Sequence, residues 1–139
     1  MSSILVLEDN IDLLQLYGKV LTKAGYSVEL VNTLAAAERH LNENVYNMFI
    51  CDMQIDDGSS LTLLGAWIER LHSVGTCIVA ISGRMKYAES CEALGVDRFI
   101  IKPMMSDVLR GIVYDLLAHP LKAQGTSEID LYGREWGHM

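Results

Sequence analysis

A chain of 139 residues is long enough for one domain, and folding at this size removes roughly two-thirds of the unfolded surface from water. Half the residues are apolar and 21% are charged, a balance that builds a core and excludes a disordered polymer. The net charge of −7 argues against direct binding to nucleic acid or an anionic membrane, and no apolar run approaches the roughly 18 residues of a membrane helix.

Met1–Asn10 lacks the basic start of a secretory leader, so a cytoplasmic location is expected. Within that stretch, Ile4-Leu5-Val6-Leu7 is a short continuous apolar run, the pattern of a strand covered on both faces. Ile11, Leu14, Gly18 and Leu21 then recur at helical spacing, and Gly25 is placed to end the helix. Val28-Glu29-Leu30-Val31 brings a charge into a strand, which puts it at a sheet edge. Leu34, Ala37 and Leu41 mark a second helix, Met48-Phe49-Ile50-Cys51 a third strand, and Leu61, Leu64, Ile68 and Leu71 a third helix closed by Gly75. Cys77-Ile78-Val79-Ala80-Ile81 is the fourth strand, and Tyr87, Cys91 and Leu94 a weaker fourth helix before Gly95. Phe99-Ile100-Ile101 is the fifth strand, and Val108, Ile112 and Leu116 mark the last helix. The four strands without a charge are expected to be inner ones. Past Pro120 the periodicity stops, so the domain is expected over 1–119 and a flexible C-terminal tail over 120–139.

Strand and helix alternate five times with short connections, which forces parallel strands with right-handed crossovers and leads to an open, doubly wound α/β sheet. In such sheets ligands sit beyond the carboxyl ends of the strands, so the residues after each apolar run form a set: Glu8-Asp9, Asp52, Ser82-Gly83 and Lys102-Pro103. Clustered carboxylates repel one another unless a cation intervenes. Oxygen donors without His or Cys suit magnesium. Cys51, Cys77 and Cys91 are odd in number and far apart, which reads as buried thiols. His40, His72, His119 and His138 have no ligand spacing and read as surface residues, and no two glycines lie two residues apart as a dinucleotide loop requires.

Leu7-Glu8-Asp9-Asn10, Cys51-Asp52-Met53, Ile81-Ser82-Gly83 and Phe99-Ile100-Ile101-Lys102-Pro103 resemble the response-regulator receiver of two-component signalling in residue type, order and strand position. The resemblance spans about residues 3 to 119 and implies a flavodoxin-like fold: a five-stranded parallel sheet of order 2-1-3-4-5 with five helices in three α/β/α layers. It implies that Asp52 accepts phosphate from a phosphohistidine of a histidine kinase or histidine phosphotransfer protein. Asp9 would bind Mg2+ directly, Glu8 through a water, and the Gln54 backbone carbonyl would be a further ligand. Lys102 and the Ser82 hydroxyl would contact the phosphoryl oxygens, and the Lys102–Pro103 bond would be cis. The implied switch moves Ser82 toward the phosphate and turns Phe99 inward, altering the helix 4–strand 5–helix 5 face for an output protein or a homodimer. Such a domain assists only its own phosphorylation and is not an enzyme acting on outside substrates.

The family commonly carries Pro four residues after the acceptor and Asp-Gly seven and eight after it; here Asp56 stands in the first place and Asp57-Gly58 comes two residues early. The loop is therefore shortened. That departure keeps a second reading open, a divergent receiver that binds partners without phosphorylation. A third, a magnesium-dependent aspartyl-phosphate hydrolase, expects a second Asp two residues after the nucleophile, where this chain has Gln54. Taken alone, Asp9-Asn10 also reads as a helix cap, Phe99 as a core aromatic, and Asp56-Asp57 as a loop-and-cap pair.

Overall fold

The computed structural model describes residues 1–55 and 58–118, together with two short strands at Glu128–Ile129 and Glu135–Trp136 that pair antiparallel. Asp56, Asp57, His119, His138 and most of the expected tail 120–139 lie outside the described residues.

The elements alternate as the apolar periodicity requires: β1 Ser3–Leu7, α1 Ile11–Lys23, β2 Ser27–Val31, α2 Leu34–Glu43 and β3 Met48–Asp52. They continue with α3 Ser60–Ser73, β4 Cys77–Ser82, α4 Lys86–Leu94, β5 Arg98–Ile101 and α5 Ser106–Ala118. The five strands form one parallel sheet of order β2-β1-β3-β4-β5, the flavodoxin-like arrangement. Side chains alternate across each strand. Leu5, Leu7, Phe49, Cys51, Ile78, Ala80 and Phe99 therefore meet α2, α3 and α4 on one face. Ile4, Val6, Met48, Ile50, Val79, Ile81 and Ile100 meet α1 and α5 on the other.

Local chemistry sets the helix ends. Asn10, Thr33 and Ser59 cap α1, α2 and α3, their side-chain oxygens accepting from Leu13, Ala36 and Thr62 backbone N–H groups. Gly75 and Gly95, at φ of 84° and 94°, turn the chain out of α3 and α4 through the left-handed region that a Cβ disfavours.

Three expectations need correction. The run Phe99-Ile100-Ile101 is an edge strand, not an inner one; helices cover both its faces, so its composition does not betray its missing neighbour. In α1 the buried stripe is Leu14, Tyr17, Gly18 and Leu21, while Ile11 at the first position is 47% exposed. In α5 the buried residues are Leu109, Val113 and Leu116, so Val108 and Ile112 only flank the stripe. The three cysteines are buried free thiols, and burial raises each pKa, which keeps them protonated.

Candidate functional site

Parallel pairing in register brings the ends of β1, β3 and β4 level, with Leu7 beside Cys51 and Asp52 beside Ile81. The residues that follow converge there. Oxygens of Glu8, Asp9 and Asp52 lie within 4.8 Å of one another. Lys102, carried on the chain just after β5, donates through Nζ to Glu8 Oε1 at 2.8 Å and to Asp52 Oδ2 at 3.0 Å. Its own strand end is fixed by its backbone N–H donating to the Ser82 carbonyl at 2.8 Å, and the Lys102–Pro103 bond is cis.

Division of labour between Asp9 and Asn10 follows from the cap. Because Asn10 caps α1, the Asp9 carboxylate stays in the cluster, half-buried. Asn10 also donates its backbone N–H to Glu8 Oε2 at 3.1 Å, which aims the buried Glu8 side chain at Lys102.

The electrostatics show a charge imbalance. Burial, then the hydrogen bond with Asp52, pushes Glu8 up to about 7, although Lys102 and the Asn10 amide pull the other way. Burial works to lower the Lys102 pKa, and the two carboxylates together overcome it and raise it. One ammonium is thus shared between two buried carboxylates, with a third beside them. A hard divalent cation matches that excess of oxygen and charge, and Glu8, Asp9 and Asp52 are the residues that would hold it.

Two residues tie the loop after β3 to the site. Gln54 donates its backbone N–H to Asp52 Oδ1 at 2.9 Å, and its side-chain Oε1 accepts from the Ser82 hydroxyl at 3.2 Å and from the Gly83 N–H at 3.3 Å. The Ser82 hydroxyl, in turn, accepts from the Arg84 N–H at 2.9 Å. The Ser82 hydroxyl is therefore engaged by Gln54 and Arg84. Nothing in the sequence points to this role for the Gln54 side chain, or to Ser60, whose buried hydroxyl donates to the Asp52 carbonyl at 2.6 Å. Its signal was a polar residue in the first turn of α3, indistinguishable in sequence from a second capping serine. In the shortened loop, Gln54-Ile55 pairs antiparallel with Gly58-Ser59, and this two-residue ladder delivers Ser60 to its place. Phe99 is fully buried within the core on the α2–α3–α4 face.

The two histidines that the structure describes, His40 and His72, are partly exposed and each has a side-chain partner. His72 Nε2 lies 2.9 Å from Asp97 Oδ2 and His40 Nδ1 lies 3.3 Å from the Tyr46 hydroxyl, both half-buried.

Residues 4–114 match the family model described as the response regulator receiver domain. The chain belongs to that family. Among curated relatives, this receiver is similar to the transcriptional regulatory protein PhoP of Escherichia coli K12, 31% identical over 72% of this chain and 45% of the relative. It is also similar to the transcriptional regulatory protein GlrR of the same organism, 28% identical over 82% of this chain and 26% of the relative. The receiver thus spans less than half the length of these relatives. Among solved structures it is similar to the chemotaxis response regulator CheY4 of Vibrio cholerae, with TM-score 0.76, 18% identity, and coverage of 84% and 98% of the two chains. It likewise superimposes on the response regulator TrrA of Thermotoga maritima in complex with Mg(2+)-BeF, with TM-score 0.74, 22% identity, and coverage of 84% and 99%. At these identities the structures speak to the receiver fold. No helix among the described residues is long and apolar enough to cross a membrane.

Proposed function

We propose that this receiver is a phosphorylation-activated switch in which Asp52 accepts a phosphoryl group from a phosphohistidine on a sensor kinase or phosphotransfer protein. The observation that supports it most is the Glu8, Asp9 and Asp52 carboxylate cluster with the Lys102 ammonium 3.0 Å from Asp52 Oδ2. An Asp52 carboxylate oxygen attacks phosphorus, the oxygen–phosphorus bond forms as the nitrogen–phosphorus bond breaks, and the imidazole leaves. Phosphoryl transfer spreads charge over the equatorial oxygens, so positioning and electrostatic stabilisation carry the rate. Lys102 supplies a fixed positive charge against one oxygen. Ser82 and the Gly83 N–H supply donors for another once they leave Gln54. Asp9 and Asp52, with Glu8 acting through a water and the Gln54 backbone carbonyl, would hold a magnesium ion, which would supply charge to offset that on the remaining phosphoryl oxygen.

The acyl phosphate formed is hydrolysable, which suits a transient signal. Phosphate needs only to favour one conformer over another. Pulling Ser82 toward Asp52 opens space beside it, Phe99 moves into that space, and the α4–β5–α5 face changes for a partner protein or a second copy. The receiver assists only its own phosphorylation and dephosphorylation, acts in the cytoplasm, and needs no direct contact with nucleic acid or membrane.

The test is to treat the protein with acetyl phosphate with and without magnesium and to weigh it intact. One added phosphoryl group that requires magnesium and disappears in Asp52→Asn is expected. Absence of the adduct, with beryllofluoride also failing to bind, refutes the switch and leaves the phosphorylation-independent binding module. Turnover of a phosphate monoester points instead to a hydrolase.

A further inference from the structure

The α1–β2 side of the sheet carries a groove of about 490 Å³ that shares no residue with the carboxylate site. Its lining is Gln15, Gly18, Lys19, Thr22 and Lys23 from α1, with Val28 and Leu30 from β2. We infer that this groove and the open edge of β2 form a docking site for an extended partner peptide carrying carboxylates.

The backbone makes the first half of the case. Ser27 donates its N–H to the Ser2 carbonyl, and the Val31 carbonyl accepts from Glu8, so the odd residues of β2 bond to β1. Alternation along a strand then points the peptide groups of Val28 and Leu30 away from the sheet. β2 is the terminal strand, and among the described residues no strand pairs with that edge. A strand laid beside it gains main-chain hydrogen bonds at both positions, the mode by which peptides add to exposed sheet edges.

The side chains make the second half. Val28 packs on the α1 face of the sheet, and Leu30, two residues on, shares that face, where it lies over the helix backbone at Gly18. A Cβ on Gly18 would stand 2.6 Å from Leu30 Cδ1, so the glycine lets the leucine sink in and leaves an apolar floor 36% exposed at Leu30. The lining holds two lysines and no acid, in a chain whose net charge is −7. Glu29 belongs to the opposite face, where its charge raises the Tyr46 phenol after burial does. A peptide whose groove-facing side chains, every second residue, alternate apolar and carboxylate matches floor and rim together. A second copy docking edge to edge would bring lysine rim against lysine rim, so the occupant is an acidic partner.

The probe is a blocked Thr-Val-Thr-Glu-Thr-Val-Thr-Glu peptide, titrated into the whole chain while backbone amides are followed by NMR. Saturable shifts and slowed exchange at Val28 and Leu30 are expected. Affinity should fall roughly tenfold or more in Lys19→Glu/Lys23→Glu, whose remaining spectrum stays native, and the peptide with Lys for Glu should not bind. Three results overturn the inference: no saturable shift at millimolar peptide, equal binding of the two peptides, or protection of both amides before peptide is added, since the edge is then already paired. None of these readouts depends on Asp52.

Discussion

At the carboxyl ends of β1 and β3, buried Glu8 and Asp52 share the Lys102 ammonium, at 2.8 and 3.0 Å, with Asp9 beside them. Near the amino end of β4, the buried carboxylate of Asp97 accepts from the Ile78 N–H at 2.7 Å and meets the His72 ring at 2.9 Å. Thr76 completes that end, its hydroxyl donating to the Tyr46 carbonyl at 2.7 Å. Both ends bury polar groups, yet the first sets three carboxylates beside one ammonium, whereas the second gives its single carboxylate a backbone N–H and an imidazole. A network satisfied within the chain is a structural fastener, whereas one left in deficit is built to receive something.

Removing the acid at each end should therefore change stability in opposite directions. The largest effect is expected from Asp97→Ala, which leaves the buried Ile78 N–H without its acceptor and should cost about 3 kcal/mol in urea unfolding. A cost below about 1 kcal/mol would break the comparison at its structural end. Asp52→Asn removes one of the crowded carboxylates, and in magnesium-free buffer should stabilise the protein by about 1 kcal/mol while abolishing phosphorylation. Added magnesium should then stabilise the parent more than the variant. Destabilisation in the magnesium-free measurement would show that Lys102 alone balances the cluster.

A smaller effect sharpens the picture of the site itself. The Gln54 side chain occupies the Ser82 hydroxyl and the Gly83 N–H, so those donors must exchange partners before they can serve a phosphoryl group. Gln54→Ala should raise the rate of phosphorylation by acetyl phosphate about fivefold, the scale of one net hydrogen bond of about 1 kcal/mol. An unchanged rate would mean that breaking these bonds contributes nothing to the barrier.

These two ends were unequally legible in the sequence. Glu8, Asp9, Asp52, Ser82 and Lys102 each lie at or just past the end of an apolar strand, and parallel order turns that regularity into proximity. Asp97 and His72 are 25 residues apart with no periodic relation, so nothing local announces their pairing. Ser60 was hidden for another reason: the shortened loop, whose register only the Gln54-Ile55 ladder reveals, decides which serine caps and which holds Asp52. In α5 the doublets Val108-Leu109 and Ile112-Val113 are apolar at both positions, so period alone could not choose the buried member. The edge position of β5 is absent from its composition because helices cover both its faces, and only the order 2-1-3-4-5 implied by the family resemblance put it there.

The smallest expected effect tests whether the far end is only a fastener. The hydrogen bond to Asp97 raises the His72 pKa above its ordinary 6.5, with burial opposing. A raised folded-state pKa means that the protonated histidine is favoured by folding, so its contribution is fully present below about 6.5 and is lost as pH rises through the folded value. With the His72 side chain 29% exposed, solvent screens the pair, and the contribution is about 0.5 to 1 kcal/mol. Urea midpoints of the parent and His72→Gln should therefore differ at pH 5.5 and converge by pH 9. Asp97 keeps the Ile78 N–H throughout, so the fold survives the loss of the histidine's charge. A difference that persists unchanged at pH 9 would assign the His72 contribution to packing and a neutral hydrogen bond, leaving Asp97 to hold this end through the backbone alone.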